Sequence, residues 1–262
     1  MRVDMQQSPL KEKRFSNSGH NGSNGKVKFQ EQRIEKAKAQ AIKPMNERQR
    51  EYLSYLEDQV PVIIATGYAG TSKTYIPTRF ACNEYLSDRV YKIVFSRPAI
   101  SNSKSLGYFA GDKNEKMEIW LAPVLNVVKE TLTAPATTIA IKNEDILFYP
   151  LEIIKGLSLG STKDGKHLYY IVDEAEDLSI EEIKKIITRI GKNCTLVLAG
   201  DVTQSELSER SGLRWLINFV KKHNLKRFKH IDFSNVNDIV RSDVVRDFIV
   251  ALEKDNKEEK KK

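Results

Sequence analysis

The feature that most constrains this chain is an octapeptide, G-Y-A-G-T-S-K-T at 67–74, placed directly after an apolar run, Val62–Thr66, and directly before a helical pattern. A buried strand that turns into a helix through such a loop aims backbone N–H groups and the positive end of the helix dipole at one spot. That spot suits a polyphosphate. Lys73 has the reach for β- and γ-phosphates, and the Thr74 hydroxyl is placed to ligate Mg²⁺. The predicted nucleotide-binding set is Gly67, Tyr68, Ala69, Gly70, Thr71, Ser72, Lys73 and Thr74. Two residues depart from expectation. Ser72 stands where such a loop usually has its last glycine, and its Cβ is costly if the backbone there needs φ > 0. Pro77 falls inside the helical pattern, where it removes a hydrogen bond. The alternative is an ordinary strand–turn–helix with a chance Lys-Thr.

Further apolar runs follow at Lys92–Ser96, Tyr169–Asp173, Thr195–Ala199 and Lys229–Phe233. Helical patterns near 73–87, 114–132, 179–190, 211–222 and 238–253 lie between them. Alternation of buried strands with helices predicts an α/β fold with a mostly parallel sheet covered on both faces. Segment 98–168 is too long for one crossover, so extra helices and an insertion containing 134–145 are expected there.

Two more strand ends carry polar groups where open α/β sheets bind ligands. The run Y-Y-I-V-D-E at 169–174 ends in two acids. Beside a phosphate loop, Asp173 is the expected Mg²⁺ partner, and Glu174 the group that orients and deprotonates an attacking water. Without the loop, it reads as a strand leading into a helix capped by Asp177 or Ser179. The run T-L-V-L-A-G-D-V-T-Q at 195–204 offers Asp201 and Gln204 as γ-phosphate sensors, or else as an Asx-type turn.

Charge divides the chain. Residues 1–43 hold 10 basic and 4 acidic residues, residues 254–262 hold 5 and 3, and 44–253 hold 28 of each. The net charge of +8 therefore lies in the tails, which either track phosphate backbones or are simply solvated. The Ser/Asn/Gly/His-rich stretch 16–25 predicts a disordered N-terminal segment up to residue 43, an ordered domain over 44–253 and a charged tail over 254–262. No apolar run approaches the roughly 20 residues of a membrane span. No secretory leader is apparent, and Cys82 and Cys194 read as buried thiols, so a cytoplasmic protein is expected. The stretch K-K-H-N-L-K-R-F-K-H at 221–230 is basic, with Phe228 as a possible stacking surface. Its Lys221, Lys222, Lys226 and Arg227 either follow a single strand or mark a solvated helix end.

Taken together, these motifs resemble the PhoH family, phosphate-starvation-type proteins related to the first RecA-like domain of superfamily-one helicases. The resemblance runs from about residue 44 to 250. Besides the loop and V-D-E-A-E at 172–176, it is carried by R-P-A at 97–99, L-G-Y-F-A-G-D at 106–112 and P-L-E-I-I-K-G at 150–156. It is carried too by T-R-I-G at 188–191, G-D-V-T-Q at 200–204, S-G-L at 211–213 and D-I-V-R at 238–241. The resemblance implies a RecA-like P-loop ATPase using ATP and Mg²⁺, with single-stranded nucleic acid, RNA before DNA, as partner. It also implies a homo-oligomer, a ring included, because the sequence offers one RecA-like domain where motor helicases use two. Gln49 resembles a helicase adenine-reading glutamine, the alternative being an exposed helix residue. Arg241 resembles the family arginine that stabilises charge on the transferring phosphoryl, the alternative being a surface arginine paired with Asp238 or Asp243. Arg97, with Lys104, resembles segments that grip single strands. The implied catalytic set is Lys73, Glu174, Gln204 and Arg241. The sequence departs from the family at Ser72, Lys104, Ala110 and Glu176, where glycine, an acid, proline and glutamine are usual. These departures keep open a second function, a nucleotide-dependent binding or scaffold protein with little turnover.

Overall fold

In the computed structural model of the chain, the described residues are 39–98, 122–151, 159–160, 165–205, 207 and 211–259. They run α1 (Glu47–Glu57), β1 (Val62–Gly67), α2 (Tyr75–Leu86), β2 (Val90–Ser96), α3 (Ala122–Leu132), α4 (Ala134–Lys142) and β3 (Ile146–Phe148). There follow β4 (His167–Val172), α5 (Ile180–Ile187), β5 (Cys194–Gly200), α6 (Gly212–His223), β6 (Phe228–Phe233) and α7 (Asp243–Glu259). The six strands form one sheet in the order β3-β2-β4-β5-β1-β6. Every pairing is parallel. This is the expected α/β class, a RecA-like P-loop fold, in which β5 separates the loop-bearing β1 from the acid-bearing β4.

Side chains alternate across the sheet and feed two cores. Ile63 and Ala65 of β1, with Tyr169 and Ile171 of β4, meet Tyr52, Phe80, Val128 and Leu132 of the helices on one face. Val62 and Ile64, with Leu168, Tyr170 and Val172, meet Ile183, Leu213 and Leu216 on the other. Burial on both faces explains why the central strands read as continuous apolar runs. Ser179 starts α5 with a reciprocal capping box to Glu182.

Three expectations change. Segment 134–145 is no insertion: α4 leads into β3, whose three residues pair with β2 and widen the sheet to six strands. Pro77 sits in the first turn of α2, where a proline is tolerated, so the helix is not broken although one hydrogen bond is lost. The last helix starts at Asp243 and runs to Glu259, past the expected boundary at 253. Residues 1–38, 99–121 and 152–158 lie outside the described residues, and with them Lys104, Ala110, Ala99 of the first resembling segment, all of 106–112 and most of 150–156. Among the described residues no helix is long and apolar enough to cross a membrane.

Candidate nucleotide-binding site

Parallel strands bring their carboxyl ends to one edge of the sheet, and a cavity of about 580 Å³ opens there. It is lined by the loop from Ala69 to Tyr75, by Asp173, Glu174 and Glu176 after β4, and by Gly200, Asp201 and Gln204 around the end of β5. Val240 and Arg241 close one side, and Pro123, Val124 and Val127 of α3 form an apolar wall. The fold thus gathers Lys73, Thr74, Asp173, Glu174, Gln204 and Arg241 from four parts of the chain.

The loop is shaped by close approach. Gly67 has φ +121, and a Cβ there would lie 2.3 Å from the carbonyl carbon of Phe233 at the end of β6. Gly70 has φ +81, with the Arg241 side chain 2.9 Å from where its Cβ would be. The Gly70 carbonyl accepts from the Val240 amide at 3.0 Å. Ser72 adopts φ +72, the conformation that makes glycine usual at this position. Lys73 Nζ donates to the carbonyls of Gly67 and Tyr68, both at 2.6 Å, so the ammonium lies inside the curve of the loop. Burial lowers its pKa, opposed by the charges of Asp201, Glu176 and Asp173.

The Thr74 hydroxyl donates to Asp173 Oδ1 at 2.6 Å. A hydroxyl and a carboxylate side by side are a hard-oxygen pair of the kind Mg²⁺ uses beside phosphate oxygens, since it takes few protein ligands there. The residues present therefore fit the ion. No group of three or more His, Cys, Asp or Glu that could hold a metal occurs among the described residues.

Glu174 has left-handed backbone angles, φ 52 and ψ 41. Its carboxylate is gripped by Arg97, with Nε donating to Oε2 at 2.5 Å and a terminal nitrogen meeting Oε1. Glu176 is 9% exposed, its Oε2 has no partner among the described residues, and a Cβ on Gly200 would lie 2.3 Å from that oxygen. Burial raises the Glu176 carboxyl to about 7, with Asp177 and Asp173 adding to the rise and backbone N–H groups opposing it. Asp201 forms the Asx-type turn weighed above: its Oδ1 accepts from the Thr203 amide and hydroxyl, and its Oδ2 from Gln204 Nε2 at 2.8 Å.

Other expected residues lie elsewhere. Gln49 is buried, not exposed, and is absent from the cavity lining. Its Nε2 donates to the Thr71 carbonyl at 3.3 Å, and its Oε1 accepts from the Met45 amide at 2.9 Å. Arg241 stands over Gly70 rather than on a helix surface. Lys221, Lys222, Lys226 and Arg227 are exposed, but they precede β6. Phe228 pairs with Val62 at the amino end of β1, so this basic segment is one strand length, about 20 Å, from the loop. Phe228 itself is half-buried against the second core.

Sequence reasoning missed Tyr52. Pro77 has no N–H to offer the Lys73 carbonyl four residues back, and the Tyr52 hydroxyl donates to that carbonyl instead, at 2.9 Å. The pairing is long-range, so only the missing donor at Pro77 hinted that a substitute was needed.

Fold and loop together define a RecA-like P-loop nucleoside-triphosphate-binding domain. The family profile described as PhoH-like protein matches residues 41–253, and the chain belongs to that family. It is 29% identical over 232 residues to a PhoH-like protein of Bacillus subtilis, covering 87% of this chain and 69% of that one. It is 30% identical over 164 residues to protein PhoH of Escherichia coli, covering 62% of this chain and 44% of that one. The chain spans 58% of the PhoH-like protein of Mycobacterium leprae, at 27% identity over 216 residues and 82% of its own length. Among solved structures, the large terminase of bacteriophage HK97 aligns at a TM-score of 0.41 and 13% identity, over 78% of this chain and 43% of that one.

Proposed function

We propose that the chain is a Mg²⁺-dependent ATPase that acts on single-stranded nucleic acid, RNA in preference to DNA, and works as a homo-oligomer in the cytoplasm. The observation that carries the catalytic part is the 2.6 Å contact of Thr74 with Asp173, beside Lys73 and Glu174 in one cavity. Lys73 and the loop amides hold the β- and γ-phosphates. Thr74 and Asp173 hold Mg²⁺, which supplies charge neutralisation on the phosphates when bound. Glu174 orients an in-line water and takes its proton. Gln204 faces the γ-phosphate, and Arg241 in the cavity wall offers a guanidinium to the charge that develops on transfer. Gln49 acts on nucleotide through its hydrogen bond to the Thr71 carbonyl of the loop. Arg97 supplies a nucleic-acid contact at the same edge of the sheet, and the basic segment Lys221, Lys222, Lys226 and Arg227 a separate one.

A second reading, a nucleotide-dependent binding protein with little turnover, is favoured by one observation: both oxygens of Glu174 are held by Arg97. Steady-state ATPase measurements with and without single-stranded RNA or DNA separate the two. Turnover that rises with RNA supports the first. Tight ATP binding without turnover under any condition supports the second.

A further inference from the structure

Arg97 and Glu174 come from neighbouring strands. β2 pairs with β4 in parallel, with Ser96 opposite Val172, so the residues that follow both strands emerge side by side. The Asp173 amide donates to the Ser96 carbonyl at 2.9 Å and fixes that alignment. The guanidinium then meets both oxygens of the Glu174 carboxylate, the two-point geometry that arginine favours. A carboxylate held this way has few lone pairs directed at a water. Its backbone sits in a left-handed conformation, which a non-glycine residue keeps only where its surroundings enforce it.

The pair also straddles a boundary. Glu174 lines the nucleotide cavity and Arg97 does not. The side chains are 18% and 31% exposed, so the pair is partly open to solvent. An anion that competes for Arg97 arrives from outside the cavity, and a phosphodiester backbone presents suitable oxygens in series.

We propose that Arg97 is a positioning residue that restrains Glu174 until a phosphate of a single-stranded nucleic acid takes the guanidinium, so that strand binding switches on turnover. This rests on the reading of Glu174 as the group that activates water. The strand and the carboxylate compete for one guanidinium, which makes the two events reciprocal: nucleic acid releases Glu174, and loss of Glu174 tightens nucleic acid.

The test is steady-state ATP hydrolysis by the full chain, with and without single-stranded oligoadenylate RNA and the DNA of the same sequence. Parent, Arg97→Ala, Arg97→Lys and Lys73→Ala are compared. The parent is stimulated, by a factor in the range of about 5 to 150 typical of coupling between sites. Arg97→Ala has raised basal turnover, near the parent's stimulated rate, and no response to the strand. Arg97→Lys, which keeps charge but not the two-point grip, lies between them. Glu174→Gln, read by strand binding rather than turnover, binds the oligonucleotide more tightly than the parent and reports the pair even if an Arg97 variant fails to fold. A parent that hydrolyses ATP but ignores both strands overturns the proposal and leaves the ATPase reading intact. So does an Arg97→Ala variant whose basal turnover is unchanged or lower, or whose stimulation persists. Full turnover in Lys73→Ala overturns the assignment of hydrolysis to this site, on which the proposal rests.

Discussion

Ser72 and Glu176 are the two residues at which local chemistry and site geometry pull against each other. Ser72 holds φ +72 with a Cβ attached, a conformation that costs an L-residue about 1–2 kcal/mol. Ser72→Gly is expected to relieve that cost and tighten ATP binding, by up to about tenfold if 1.4 kcal/mol is recovered in the bound loop. Titration calorimetry on both proteins measures it, and equal affinities would mean the strain is the same with and without nucleotide. Glu176 occupies the position where the family usually has glutamine, and burial lifts its carboxyl to about 7. A raised carboxyl pKa means the native state binds more protons than the unfolded chain between the ordinary glutamate value and about pH 7. This group's contribution to stability therefore falls as pH rises through that window. Glu176→Gln removes the penalty. The difference in Tm between variant and parent should grow in the variant's favour from about pH 5 to about pH 8. A difference that is flat, or that shrinks with pH, would contradict the burial of an ionising carboxyl here. For the chemistry, Glu174→Gln is expected to keep Mg²⁺–ATP binding while turnover drops by about two orders of magnitude or more. Unchanged turnover would transfer the role, with Glu176 next in line.

At the level of elements, the loop is held by a helix that sequence alone leaves almost unmarked. α1 presents Gln49 and Tyr52 one turn apart, and they donate to the carbonyls of Thr71 and Lys73. Tyr52→Phe keeps the packing but strands the Lys73 carbonyl, at a cost of about 1–3 kcal/mol for an unsatisfied buried acceptor. Thermal unfolding should register this as a Tm lower by roughly 2–10 °C, and ATP affinity should fall with it. A variant with the parent's Tm and affinity would show that the bond does not hold the loop. The same helix shows what was legible. β1, β2, β4 and β5 were readable because burial on both faces makes continuous apolar runs, β6 is a half-exposed edge strand with a weaker pattern, and the loop and both acids were readable because they end such runs. β3 was hidden because three residues are too few to show a pattern, and its partner β2 lies about fifty residues earlier. Tyr52 and the α3 wall were hidden because their roles arise from packing between distant segments. The Arg97–Glu174 pair joins two residues each assigned alone, and only the register of β2 on β4 brings them together.

For the whole molecule, charge and chemistry are segregated. The cavity and every residue proposed to handle phosphate lie within 44–253, where basic and acidic residues balance at 28 each, while 1–43 carries a net +6. Removing 1–43 is expected to flatten the salt dependence of single-strand affinity, since each lost phosphate contact lowers the slope of log K against log salt by about 0.7. Neutralising Lys221, Lys222, Lys226 and Arg227, which lie at the opposite end of the strands from the loop, should change the slope less. The reverse ranking in a salt titration would move the main contact to that segment. Everything else depends on the polyphosphate site, and the most direct test of it is equilibrium binding of a fluorescent ATP analogue in Mg²⁺ to the parent and to Lys73→Ala, with Tm as the control for folding. The expected result is saturable binding by the parent and its loss in a variant that remains folded. A folded Lys73→Ala protein that binds the analogue as tightly as the parent would contradict the assignment of residues 67–74 as the phosphate-binding loop.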